Sequence, residues 1–244
     1  MRVTPVAPGA ACAAAAGRVV GAGRGGPPRY QARAPKWCRF RRKLPAVGRR
    51  ERVGIFGGTF DPPHVGHLVA ALNARHGARL DRVLLVVANE PWQKLGVRDL
   101  SPAADRLAMV DAAVDGVEGL AASDIEIRRG GRSYTADTLA QLHDELPGAD
   151  LFLILGSDAV AGLPTWEHTE RLKELADIVV VDRPGTEGAR PPEGYRYEVV
   201  EVPQLEISST DIRARVRDGR PLDYLLPRDV IACVLGRGLY RDGA

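Results

Sequence analysis

The chain has only three cysteines, Cys12, Cys38 and Cys233, and no two of them form a C-x-x-C pair. An odd, scattered set argues against a disulfide framework and a zinc site, and it fits a reducing cytoplasm. No apolar run approaches the roughly 18 residues that a membrane span needs. No internal repeat is present either. Acidic residues are missing altogether from residues 1–50, which hold ten Arg and two Lys. The remaining 194 residues carry 22 basic and 31 acidic side chains, so the overall charge of +3 conceals a part at −9. A general nucleic-acid binder wants a basic face on its folded domain. This composition works against one, so neither a nucleic-acid nor a membrane partner is expected.

What is present divides in two. Residues 1–50 are rich in Ala, Gly, Pro and Arg and keep no sustained period. Such a segment cannot bury enough apolar surface to offset its ordering entropy. It reads as a disordered basic extension, with a targeting peptide as the alternative. Residues 51–244 read as one domain, long enough for a full α/β core. Val53–Phe56, Val83–Val87, Leu151–Leu155 and Ile178–Val181 are nearly continuous apolar runs, the pattern of strands covered on both faces. Helical stripes lie between them. Val65, Leu68, Val69 and Leu72 form one. Leu107, Val110 and Val114 form another, with Ser101-Pro102 as cap and first residue. Leu139, Leu142 and Leu146 form a third, stopped by Pro147-Gly148. Alternation of this kind predicts a three-layer α/β/α architecture around a Rossmann-like, doubly wound parallel sheet. Its ligands would sit beyond the carboxyl ends of the strands.

The unusual residues fall at that edge. Gly57-Gly58-Thr59-Phe60-Asp61-Pro62-Pro63-His64-Val65-Gly66-His67 joins the first strand to its helix. The glycines let backbone approach a ligand closely. The helix that opens near His64 points unpaired amides and the positive end of its dipole at the loop, which suits phosphate. His64 and His67 share a face of the first turn. Two imidazoles beside a phosphate can donate to oxygens that gain charge during displacement. Near the chain end, Ile207-Ser208-Ser209-Thr210-Asp211-Ile212-Arg213 offers a second helix start. Ser208 or Ser209 would cap it, and a guanidinium follows one turn in.

The first of these segments closely resembles the signature of the bacterial nicotinate mononucleotide adenylyltransferase family. The second resembles that family's I-S-S-T-x-I-R motif, and together the resemblance spans roughly residues 51–241. It implies a nucleotidyltransferase fold and transfer of AMP from ATP to nicotinate mononucleotide, releasing pyrophosphate. Gly57, Gly58, Thr59, Phe60, His64, His67, Gly156, Asp158, Arg183, Ser208, Ser209 and Arg213 would meet ATP. Asn89, Lys94, Tyr134, Thr135 and Trp166 would meet the mononucleotide, with Thr135 capping its helix and the indole of Trp166 lying over the pyridine ring. Gln93 stands where many members carry His, which leaves Lys94 as the cation for the acceptor phosphate. His64 stands where phosphopantetheine adenylyltransferases usually carry Thr. Catalysis would rest on His64, His67, Lys94 and Arg213 as a positive field. The acceptor phosphate is already a competent nucleophile, so no strong base is needed. Mg²⁺ is expected to ride on the ATP phosphates rather than on a protein metal site. The alternatives are the same transfer to nicotinamide mononucleotide or phosphopantetheine, or an inactive nucleotide-binding regulatory module. The sequence leaves the oligomeric state open, a homodimer included.

Overall fold

The computed structural model describes residues 49–91, 100–182, 188–203 and 205–241. The basic extension therefore lies outside the described residues, apart from Arg49 and Arg50. Six strands form one parallel sheet: β1 (Arg52–Gly58), β2 (Arg82–Val87), β3 (Leu120–Ser123), β4 (Asp150–Gly156), β5 (Asp177–Asp182) and β6 (Tyr197–Glu201). Their order is β3-β2-β1-β4-β5-β6, and every neighbouring pair is parallel. The chain winds outward from β1 through β2 to β3, then crosses back to lay β4 on the other side of β1. The order therefore reverses between β1 and β4, the place where such sheets open a crevice.

The four apolar runs are the four central strands β2, β1, β4 and β5. Their residues alternate between two buried layers. Val53, Ile55, Leu84, Val86, Leu153 and Val180 face one layer. Val83, Leu85, Val87, Phe152, Ile154 and Val179 face the other. The first layer is completed by α4 (Thr135–Glu145) through Leu139 and Leu142, and by α6 (Thr169–Leu175) through Leu172. The short helices α3 (Ile125–Arg129) and α5 (Ser157–Gly162) and a 3₁₀ turn at Leu163–Thr165 add Ile125, Val160 and Leu163. The second layer is completed by α1 (Val65–Gly77) through Ala71 and Ala74, and by α2 (Ala103–Val114) through Val110 and Val114. A third apolar cluster joins the outer side of α2 to α7 (Ser209–Arg217) and α8 (Arg228–Gly236), through Met109, Ala113, Ile212, Val230 and Val234. This cluster locks the C-terminal helices against the body of the domain.

Some expectations shift. Strands β3 and β6 carry no continuous apolar run. β3 is Leu-Ala-Ala-Ser, and β6 is Tyr-Glu-Val-Val-Glu, its apolar residues interrupted by glutamates. The cap of α2 is Pro102 rather than Ser101, one residue later than its pattern suggested. Cys233, buried in α8, is disulfide-bonded, a pairing that the sequence did not suggest. Spacing alone carries no pairing information for three distant thiols. No helix among the described residues is long and apolar enough to cross a membrane.

Candidate active site

The loop between β1 and α1 is shaped by small residues at two points. Phe60 has φ of 50°, and its ring folds back over Gly58, where an added Cβ would stand 2.7 Å from that ring. The Phe60 side chain is thereby buried in the second layer, and its ring edge meets His67 at 5.1 Å between centroids. The Phe60 side chain packs against the His67 ring and supports it. Gly66 acts similarly on His64. A Cβ there would crowd His64 Nδ1 at 3.0 Å, so the glycine in H-V-G-H lets the imidazole lie across the first turn.

His64 is the N-cap of α1. Its backbone N–H donates to His67 Nδ1 at 3.1 Å, and the two rings stack with centroids 3.7 Å apart. Accepting at Nδ1 leaves the proton of a neutral His67 on Nε2. His64 is only 8% exposed, and its Nδ1 is buried without a hydrogen-bond partner. Burial lowers its pKa to about 4. Desolvation keeps the ring neutral at pH 7, and it enters as a hydrogen-bonding group rather than a charge.

The second helix start docks on this same loop. Ser208 caps α7 by accepting from the Asp211 N–H at 3.1 Å. Ser209 Oγ donates to the Pro62 carbonyl at 2.9 Å, and Arg213 Nη1 donates to the Asp61 carbonyl at 2.7 Å. Segments about 150 residues apart thus meet immediately before His64. The chain end closes the arrangement. Tyr240 donates its hydroxyl to the buried Asp61 Oδ1 at 2.8 Å, and burial beside that carboxyl pushes the phenol pKa up.

A cleft of ≈ 230 Å³ opens at the switch point. His64 and His67 form one wall. Gly156, Ser157 and Asp158 from the end of β4 face them, with Val181 and Asp182 from the end of β5. Phe56, Val202 and Leu205 add apolar surface, which suits a flat base beside polar groups. Asp182 was not singled out in the sequence. It is 2% exposed, and its Oδ2 accepts from Arg190 Nη1 at 2.6 Å. Arg183, expected nearby, lies outside the described residues.

Beyond β2 and before α4 a second lobe of the edge forms. Asn89 donates its backbone N–H to Ser133 Oγ at 2.9 Å and its Nδ2 to the Gly131 carbonyl at 2.9 Å. Its side chain is thus partly engaged within the protein. Tyr134, not Thr135, is the N-cap of α4, and no side chain caps that end. Thr135 is the first helical residue because Tyr134 keeps extended backbone angles. Trp166 ends the 3₁₀ turn and packs half-buried against the first layer. The Tyr134 ring meets His168 edge-on at 6.5 Å. Lys94, with Gln93, lies outside the described residues. Two buried residues that the sequence reading missed brace this lobe. Glu126 accepts from Thr138 Oγ1 at 2.6 Å, while burial pushes its carboxyl pKa up. Arg106 donates to the backbone carbonyls of Ser101, Thr59, Ala88 and Asn89. An Arg inside an α2 stripe and a Glu on a five-residue helix carry no distinctive spacing, so the sequence offered no signal for either.

Known proteins bear on this geometry. The Cytidylyltransferase-like family model matches residues 55–215. A protein from Corynebacterium kroppenstedtii, named "Probable nicotinate-nucleotide adenylyltransferase", is 45% identical over 78% of this chain and 90% of its own. A protein of the same name from Roseiflexus sp. is 47% identical over 78% of this chain and 98% of its own. Among solved structures, Plasmodium falciparum nicotinic acid mononucleotide adenylyltransferase complexed with NaAD matches with a TM-score of 0.64. It is 18% identical, and the match covers 78% of this chain and 98% of that one. At that identity the likeness speaks for the fold.

Proposed function

The chain belongs to the nicotinate-nucleotide adenylyltransferase family, and from that premise we propose that it transfers AMP from ATP to nicotinate mononucleotide. The products are nicotinate adenine dinucleotide and pyrophosphate, a step of NAD biosynthesis. The observation that carries this reading is the docking of the α7 start onto the loop before the stacked His64–His67 pair, at the rim of a cleft at the sheet's switch point. Two helix starts that converge in this way suit one polyphosphate.

A phosphate oxygen of the acceptor attacks the α-phosphorus of ATP. The bond from that phosphorus to the bridging oxygen breaks, and pyrophosphate leaves with the electron pair. The acceptor oxygen is already anionic, so no proton has to be removed from it. The protein's work is positioning and charge stabilisation. His64 and His67 donate hydrogen bonds to phosphate oxygens, and Arg213 and Ser209 hold the far side of the polyphosphate. Tyr134, Thr135 and Trp166 flank the acceptor's pyridine ring, and Lys94 meets its phosphate. Among the described residues no group of three or more His, Cys, Asp or Glu could hold a metal ion. Imidazole and guanidinium nitrogens suit Mg²⁺ poorly. Mg²⁺ carried by the nucleotide would supply charge neutralisation at the phosphates.

The test is an acceptor panel. Pyrophosphate release is followed with ATP and nicotinate mononucleotide, nicotinamide mononucleotide or phosphopantetheine. The highest kcat/KM is expected for nicotinate mononucleotide. An equal or higher value for phosphopantetheine overturns the assignment, and ATP binding without turnover of any acceptor indicates a regulatory module.

A further inference from the structure

Arg106 is a long, charged side chain with 1% exposure, placed on the second turn of α2 between the two lobes of the site. A buried guanidinium persists only when its donors are met. Nε donates to the Ser101 carbonyl at 2.9 Å. Nη1 donates to the Thr59 carbonyl at 3.0 Å and the Ala88 carbonyl at 2.5 Å. Nη2 donates to the Asn89 carbonyl at 2.9 Å. These four acceptors belong to three separate segments: the loop after β1, the exit of β2, and the approach to α2.

The placement of these bonds matters more than their number. The β1–β2 ladder reaches one bond past the strands, where the Ala88 N–H donates to the Gly58 carbonyl at 3.0 Å. Thr59 and Asn89 are the first residues beyond it on either side. From Thr59 the chain runs on to His64; from Asn89 it runs toward Lys94. Each side also has its own anchors. The loop after β1 is held through Asp61 and Pro62 by Arg213 and Ser209. Asn89 is held through Ser133 and Gly131. If the guanidinium were lost, each side would stay folded on its own anchors, and what would go is the tie between them.

We propose that Arg106 is the positioning residue that fixes the acceptor loop relative to the ATP-phosphate loop. Its planar fork sets the register of the Thr59 and Asn89 carbonyls, and so the alignment of the acceptor oxygen with the α-phosphorus. This rests on the adenylyltransferase reading above, with ATP on the His64 side and the acceptor on the Asn89 side. In-line transfer needs the reacting atoms aligned at about 3–3.5 Å, and a displacement of about 1 Å costs on the order of 100-fold in rate. Lysine keeps the charge but replaces the fork with a single flexible ammonium, which cannot hold carbonyls of three segments at once.

The test compares wild type, Arg106→Lys and Arg106→Gln, with kcat normalised to the folded fraction and KM measured separately for ATP and nicotinate mononucleotide. Both variants are expected to lose about 30-fold or more in kcat, while each KM changes by less than about threefold, the pattern of lost alignment rather than lost binding. A folded Arg106→Lys with kcat within about threefold of wild type overturns the proposal. So does a loss confined to KM. Failure of both variants to fold assigns Arg106 to stability alone and overturns it as well. The functional reading is judged separately in the same assay. If wild type turns over no acceptor, that reading fails. If wild type is active and Arg106→Lys is kinetically normal, only this inference fails.

Discussion

Acidification should destabilise the empty protein through one imidazole. His64 is buried in the neutral form, and its pKa falls from 6.5 to about 4. Below pH 6.5 the unfolded chain takes up a proton at this position that the folded chain refuses until about pH 4. Stability from neutral His64 is therefore complete above pH 6.5 and is lost as the pH falls through that window. Each pKa unit is about 1.4 kcal/mol, so the loss is about 2 kcal/mol by pH 5 and about 3 kcal/mol by pH 4. That is a large share of a typical total of about 5–15 kcal/mol. The assay is urea unfolding of wild type and His64→Gln at pH 7, 6, 5 and 4 without nucleotide. Glutamine occupies a similar space but does not titrate. Glu126, whose raised pKa stabilises the folded state toward low pH, is present in both proteins and cancels, as do the other carboxylates. Wild type should lose ground relative to His64→Gln by about 3 kcal/mol between pH 7 and 4. A gap that stays constant with pH refutes the reasoning, as do His64 ring resonances that titrate near 6.5 in the folded protein.

Two further outcomes follow from contacts at the same loop. His67→Ala should lower kcat by about 100-fold or more while ATP affinity, measured by calorimetry, changes far less, because its hydrogen bond matures as charge develops on the phosphate. Equal losses in both would assign His67 to ground-state binding. Tyr240→Phe removes the hydroxyl from the buried Asp61 Oδ1, which should cost about 1–3 kcal/mol in denaturant unfolding. Unchanged stability would mean that another donor replaces the phenol.

The fold was legible wherever both faces of a strand are buried. Val83–Val87 and Ile178–Val181 read as continuous apolar runs because alternate side chains enter two different cores. The same logic explains the misses. In β3 the middle residues are alanines, too small to mark a strand among helical alanines. β6 lies at the sheet edge beside β5, and Glu198 and Glu201 interrupt its apolar residues. Helix caps were located to within a residue. The shifts at Pro102 and Tyr134 arose because backbone angles, not the most suitable hydroxyl, decided where the helix begins.

Within the site, sequence revealed the residues whose chemistry is local. A glycine-rich turn followed by H-V-G-H states its geometry in eleven consecutive positions, and Gly66 next to His64 shows how little freedom that string leaves. Residues that act by spanning the fold were silent. Arg106 gains its meaning only when Thr59 and Asn89 are brought to it by the parallel register of β1 and β2, in which Gly58 pairs with Val87. Asp182 does so when β5 ends beside β4. The same distinction explains why the protonation of His64 was silent in the sequence. Its neutral form is set by burial, which leaves the side chain only 8% exposed. That burial is a property of the assembled fold. The His64 titration therefore reports on the assembled fold rather than on the residue type.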